Sequence, residues 1–140
     1  MTQYPALVYG TLRPGCGNYK YFLDNKTISE EIVTIEGFTM RGERGYPYIV
    51  YGDTNITATL VHIHPLAYDK VLKSLDRLEG FHDVGNSNNH YDRVLHTFTM
   101  NGKEIQAWIY VASQAFGQYL AYELPVIKSG DWVAHVRSLT

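Results

Sequence analysis

Residues 65–80 read PLAYDKVLKSLDRLEG, and this stretch decides the fold class. Tyr68, Val71, Leu72, Leu75 and Leu78 recur at helical spacing on one face. Asp69, Lys70, Lys73, Asp76 and Arg77 fall on the other. Pro65 stands where a first helical residue would, its fixed φ and missing donor both harmless. Gly80 stands where a left-handed residue closes a helix. The stretch therefore reads as a helix with one buried face.

The sequence on either side reads mainly as strands. Toward the N-terminus, Ile56 to Ile63 and Tyr48 to Tyr51 read as a hairpin, with a turn at Gly52-Asp53-Thr54-Asn55. Ile32 to Met40 alternates as a strand, and Tyr4 to Tyr9 is an apolar first strand that Gly10 interrupts. A loop rich in Gly and Pro then runs to Asn18. Toward the C-terminus, His82 to His90 (HDVGNSNNH) reads as an irregular polar loop. Tyr91 to Met100 and Glu104 to Ala112 read as strands joined at Asn101-Gly102, the strongest local hairpin signal in the chain. Ser113 to Glu123 reads as a short helix ended by Pro125. The tail SGDWVAHV reads as a last strand or a docking segment. Strands around one firm helix predict an α+β domain whose mixed or antiparallel sheet curls around or against the helix.

The bulk properties narrow the function. The 140 residues contain no long linker, repeat or low-complexity stretch, so a single domain over 1–140 is expected. A net charge of −2 gives no electrostatic reason to expect nucleic acid. Cys16 is the only cysteine, which rules out an intrachain disulfide and points to a reducing compartment. The opening MTQYPALVYG lacks a signal-peptide pattern, and no apolar run approaches membrane-spanning length. A cytoplasmic protein without membrane association is the expectation. The 12 tyrosines suit strand packing, and some of them suit a pocket for a small polar ligand.

Glu79 breaks two rules at once. It falls within the apolar arc, four residues after Leu75, where ionisation is costly. It also lies at a helix C-terminus, where the macrodipole disfavours negative charge. Both effects raise a carboxyl pKa, as general acid–base chemistry near neutral pH requires. The alternative is a rim carboxylate that reaches solvent or pairs with Arg93 or Arg13. A second candidate is the loop Tyr9-Gly10-Thr11-Leu12-Arg13-Pro14-Gly15. Its successive N–H groups can form a nest for a carboxylate or an oxyanion. It is neither a Walker A loop nor a dinucleotide-binding GxGxxG, and an ordinary strand-to-loop turn is the bland alternative.

Together, VYGTLRPGCGN (Val8 to Asn18) and LDRLEGF (Leu75 to Phe81), followed by HYDR (His90 to Arg93), resemble the gamma-glutamylcyclotransferase-like family. The pattern is nearest to its short members, the gamma-glutamylamine cyclotransferases and avirulence-induced-gene-like proteins. AWIYV (Ala107 to Val111) and SGDW (Ser129 to Trp132) follow in the expected order. The resemblance implies a small mixed β-barrel with flanking helices. It implies a small-molecule gamma-glutamyl substrate, cyclised to 5-oxoproline with release of an amine, and no metal or organic cofactor. Glu79 aligns with the family's catalytic Glu, and Tyr9, Gly10, Thr11 and Leu12 with its substrate loop. Tyr9, Tyr91 and Tyr110 align with aromatic positions lining the pocket. Arg93 and Asn18 are supporting candidates, Arg93 as a brace for the Tyr91 strand. The His82 to His90 loop is expected at the pocket mouth, where the leaving group is read. No motif separates gamma-glutamylamines from gamma-glutamyl amino acids or glutathione.

Three rival readings remain. His62 and His64 share a strand face, the start of a metal site that lacks a third ligand at informative spacing. Cys16 is a nucleophile candidate without local activation. A pocket of this kind can also bind a gamma-glutamyl-like ligand without turnover, since fold alone does not license activity.

Overall fold

The computed structural model describes residues 2–42, 45–116 and 124–139. The strands are β1 (Ala6–Val8), β2 (Thr27–Arg41), β3 (Tyr48–Ile63), β4 (Tyr91–Met100) and β5 (Lys103–Ala112). The helices are α1 (Tyr19–Phe22), α2 (Tyr68–Leu78) and α3 (Trp132–Ser138). The strands form one sheet in the order β2-β3-β1-β5-β4. Only the β1–β5 pairing is parallel; the other three are antiparallel. The α+β expectation holds.

Two long hairpins, β2–β3 and β4–β5, thus meet across the three residues of β1. All three are buried, and they divide between two cores. Leu7 points into a cluster with Ile35, Ile49, Leu60, Ile109 and Trp132. Ala6 and Val8 point the other way, into a cluster with Val71 and Leu75 of α2. A central strand covered on both faces needs an apolar run rather than alternation, which is why PALVY is apolar throughout.

The expected barrel is not closed: among the described residues β2 and β4 end the sheet with no ladder between them, and the end of β2 bridges Val126 at Arg41. The sheet does curl enough for the edges to touch through side chains. The Phe38 ring of β2 lies 4.9 Å from the His96 ring of β4, and burial lowers the His96 pKa.

Several local expectations are corrected. Gly52 to Asn55 is not a turn, because β3 runs unbroken from Tyr48 to Ile63 opposite β2. A register shift between Glu36 and Phe38 accommodates the polar residues. The Thr54 hydroxyl donates to the Phe38 carbonyl at 2.7 Å, so its polarity serves the strand pairing. The β2 strand is also longer than its alternation indicated, starting at Thr27.

Pro65 is not the first residue of α2. It opens a turn in which the Ala67 N–H donates to the His64 carbonyl at 2.9 Å, and α2 begins at Tyr68. The SGDW tail forms a helix, not a strand. Asp131 caps α3 by accepting the Ala134 N–H at 3.2 Å, and Trp132 enters the core. The hairpin turn at Asn101 and Gly102 has φ of 53° and 77°, as a type I′ turn requires. A helical turn opens at residues 114–116, and the rest of the expected Ser113 to Glu123 helix lies outside the described residues. Among the described residues, no helix is long and apolar enough to cross a membrane.

Candidate active site

The end of α2 sets the position of Glu79. Gly80 has φ of 66° and donates to the Arg77 carbonyl at 3.3 Å, while Phe81 donates to the Asp76 carbonyl at 2.9 Å. These two bonds form a Schellman cap, as the Glu-Gly pair predicted. His90 donates its backbone N–H to the Gly80 carbonyl at 3.1 Å, and the Ser113 N–H donates to the His90 carbonyl at 2.9 Å. The helix end is thereby tied to the start of β4 and the end of β5.

A cavity of about 410 Å³ lies beside this junction. Tyr9, Gly10, Thr11, Leu12 and Asn18 line one side of it, with Glu79, Tyr91 and Tyr110 also on its walls. Every substrate-binding residue read from the sequence is therefore brought to one cavity, although those residues span about a hundred positions of chain.

The Tyr9–Leu12 loop turns tightly. The Arg13 N–H donates to the Gly10 carbonyl at 3.0 Å, and the Asn18 N–H to the Thr11 carbonyl at 3.0 Å. The Asn18 side-chain amide adds a bond to the Thr11 hydroxyl at 2.8 Å. Among the described residues, the N–H groups of Gly10, Thr11 and Leu12 donate to no carbonyl. N–H groups in such a turn can receive an anionic or carbonyl oxygen. Gly10 is held against the opposite wall, since a Cβ there would lie 2.8 Å from two ring carbons of Pro47.

Glu79 is largely withdrawn from water, and burial pushes its carboxyl up to about 7. Neither arginine considered as its partner pairs with it. Arg93 Nε lies 2.9 Å from Asp76 Oδ1, at ion-pair distance but off the hydrogen-bond axis. Arg13 donates to Asp131 Oδ1 at 2.8 Å and to the Thr59 hydroxyl at 3.2 Å. The surrounding tyrosines stay protonated. Burial, then the charges of Tyr91 and Glu79, raise Tyr9 well above its ordinary value. Burial, followed by the Glu79 charge, raises Tyr91. Burial and the hydrogen bond to Asp76 raise Tyr110.

The tyrosine hydroxyls hold the walls together. Tyr9 donates to the Tyr110 carbonyl at 2.7 Å, and Tyr110 donates to Asp76 Oδ1 at 2.6 Å. Asp76, assigned above to the solvent face, is in fact half-buried and bonded inward. The helical wheel misplaced it because it lies at the border of the two arcs, where a partner on β5 draws it in. Arg93 does not line the main cavity. Its guanidinium stacks on Trp108, with the ring centroid 4.3 Å away.

The His82 to His90 loop departs from expectation. Only His90 reaches the main cavity, where its ring stacks on Phe116 at 4.9 Å. Residues 84–87 border a separate hollow beyond Phe81. The cause is Asn89, buried within the loop, which accepts the His82 N–H at 2.7 Å and donates to the Asp83 carbonyl at 2.8 Å. Tyr46, Pro47, Leu78, His90 and Phe116 also line the cavity. None was singled out as a site residue. Leu78 carried a signal, being an apolar residue directly before Glu79, whereas Tyr46 and Pro47 carried none.

The rival centres are differently occupied. His62 Nδ1 lies 3.0 Å from the Ser29 hydroxyl, and His64 Nδ1 accepts the Leu66 N–H at 3.1 Å. Among the described residues no three His, Cys, Asp or Glu side chains are grouped to hold a metal ion. Burial raises the Cys16 thiol, a direction opposite to that of an activated nucleophile.

The structure is a mixed open sheet with Glu79 and the Tyr9–Leu12 loop on the walls of one cavity. The family follows from comparison: the chain belongs to the gamma-glutamyl cyclotransferase, AIG2-like family, which it matches over residues 6–134. It is 28% identical over 104 residues to the gamma-L-glutamyl-butirosin B gamma-glutamyl cyclotransferase of Niallia circulans, covering 74% of this chain and 64% of that protein. The chain thus spans just under two thirds of that relative. It is 30% identical over 131 residues to a protein of Methanocaldococcus jannaschii provisionally named a gamma-glutamylcyclotransferase, covering 91% and 93% of the two chains. In fold, it resembles an uncharacterized protein of Pyrococcus horikoshii, with a TM-score of 0.64, 20% identity, and 97% and 94% of the chains covered. It also resembles the ytfP protein of Escherichia coli, with a TM-score of 0.59, 21% identity, and 92% and 96% covered.

Proposed function

We propose that this chain cyclises the gamma-glutamyl group of a small substrate to 5-oxoproline and releases a free amine, with Glu79 as the acid–base group. The observation that carries the reading is the Glu79 carboxyl, raised to about 7 by burial on the wall it shares with the Gly10–Leu12 nest. Ring closure is intramolecular, so the main requirement is a folded substrate held in attack geometry. The Glu79 carboxylate takes a proton from the substrate's α-ammonium. The freed nitrogen attacks the gamma-carbonyl carbon and the carbonyl electrons move to oxygen. The N–H groups of the nest stabilise that oxyanion. Glu79 then returns its proton to the departing nitrogen as the amide bond breaks, and the ring nitrogen's second proton passes through the same carboxylate to the released amine, leaving 5-oxoproline and the protonated amine. The rings of Tyr9, Tyr91 and Tyr110 shape the cavity and exclude water. Asn18 steadies the loop, and Arg93 braces β4 from outside. No cofactor is needed for these steps.

In this reading residues 1–140 act as one domain in the cytoplasm, in keeping with a lone cysteine. The test is incubation with gamma-glutamyl-alanine, gamma-glutamyl-ε-lysine, glutathione and a gamma-glutamylated aminoglycoside, following 5-oxoproline by mass spectrometry beside Glu79→Gln. Product from wild type alone is expected, because the amide keeps the shape but cannot carry the proton. Equal product from both proteins overturns the role of Glu79. No product from any compound, with binding retained, favours a silent binding module instead. Because the base form must be present, kcat/KM should rise with pH through about 7, the value of the Glu79 carboxyl.

A further inference from the structure

Asp76 and Glu79 lie three residues apart at the end of α2, yet their surroundings differ. Glu79 faces the cavity, whereas Asp76 meets Tyr110 and Arg93. Arg93 and Tyr110 are directly paired across β4 and β5, so both side chains stand on one face of the sheet and reach the same carboxylate. The guanidinium lies between the Trp108 ring at 4.3 Å and the Phe81 ring at 5.3 Å. Trp108 is itself fixed, its indole N–H donating to the Tyr68 hydroxyl at 3.0 Å and that hydroxyl to the Tyr4 carbonyl at 2.8 Å. Arg93 is thus a cation on a rigid platform close to the end of the helix that carries Glu79.

We propose that Asp76 is a positioning residue that withholds the Arg93 guanidinium from Glu79, so that the cavity carboxyl stays unpaired. The catalytic consequence rests on the function proposed above; the electrostatic claim stands by itself. Among the described residues, the titratable groups around Glu79 are Tyr9 at the end of β1, Tyr46 and Tyr48 before and within β3, His90 and Tyr91 at the start of β4, and Tyr110 on β5. Among the described residues, Arg93 is a strong cation fixed near this neighbourhood, two residues along β4 from Tyr91. A cation turned toward Glu79 would hold the carboxylate ionised and weaken it as a proton carrier. Arg13, in the cavity loop, is likewise held by an aspartate, donating to Asp131 Oδ1 at 2.8 Å.

The measurement is the titration of the Glu79 side-chain carboxyl by carbon NMR in the free protein, the signal being assigned by its loss in Glu79→Gln. Wild type should titrate near the value burial sets. Asp76→Asn keeps the size and removes the charge, and Asp76→Ser serves as a second such variant if the amide does not fold. In either, the Glu79 midpoint should fall by about one pH unit or more, as a released cation requires. Asp76→Glu should leave it unchanged. Asp76→Asn combined with Arg93→Met should bring it back toward the wild-type value. An unchanged midpoint in the charge-removing variants overturns the proposal, as does a fall that the double variant does not reverse. The same shift should appear in the acid limb of kcat/KM. A midpoint that moves in a protein forming no 5-oxoproline would leave the withholding intact and sink the proposed reaction.

Discussion

Glu79 is held where its own charge is unwelcome, and this has a consequence for stability that is separate from catalysis. Its carboxyl is near 7 in the folded chain against an ordinary 4.5. The folded state therefore favours the protonated form. The stability this confers is complete below the unfolded value and is lost as pH rises through about 7. Glu79→Gln stays neutral throughout. Its stability relative to wild type should grow between pH 4 and pH 8 by about 3 kcal/mol at most, read by urea unfolding at the two pH values. A variant that loses activity while gaining stability above neutral pH is the signature of a strained functional residue. Tyr9→Phe should behave differently. It removes the donor to the buried Tyr110 carbonyl and should cost about 1–2 kcal/mol, with a smaller fall in kcat than Glu79→Gln.

Among the elements, the loop after β1 is the one whose shape the site depends on most. It is pinned by Gly10 against Pro47, by Asn18 at its far end, and by Arg13 toward α3. Gly10→Ala places a methyl 2.8 Å from the Pro47 ring, so one wall of the cavity must move. KM should rise and kcat/KM fall about tenfold or more, because a shift near 1 Å in a positioning group is that costly. Circular dichroism should remain that of the folded protein. Unchanged kinetics would mean that the loop does not hold substrate.

The whole molecule is joined by long-range contacts more than by local ones. The two hairpins are joined in the sheet through β1, and the C-terminal segment returns across them: the Thr57 N–H donates to the Gly130 carbonyl at 2.7 Å. Arg13 links the site loop to that segment through Asp131, and both its charge and its stem are buried. Arg13→Met leaves Asp131 and Thr59 without their donor and should cost about 2–4 kcal/mol in urea unfolding. The Glu79 titration should change little, since Arg13 is already committed elsewhere. A lowered stability with an unmoved Glu79 would separate the fold's use of Arg13 from any use in the site.

What the sequence determined by itself was everything with a short-range cause. The α2 face, the Glu79-Gly80 cap, the Asn101-Gly102 hairpin and the apolar β1 follow from periodicity and from backbone preferences of a few neighbouring residues. The conflict at Glu79 was visible for the same reason, since it needs only a helical wheel and a helix end. Where a local signal had two readings, the sequence failed. Gly52 to Asn55 has turn composition, but β3 absorbs it in a register shift against β2, where the Thr54 hydroxyl bonds the Phe38 carbonyl. Asp76 lies on the wheel's polar border, and Tyr110 and Arg93, from strands far along the chain, draw it inward. Asp131 had the chemistry of a helix cap, yet Trp132's place in the core was needed to choose helix over strand. The gathering of Tyr9, Glu79, Tyr91 and Tyr110 on one cavity was decided by the sheet order, as was the meeting of Arg93 with Asp76, while Arg13 meets Asp131 through the returning C-terminal segment. Those outcomes depend on contacts between residues distant in sequence, for which a single chain, read locally, contains no signal.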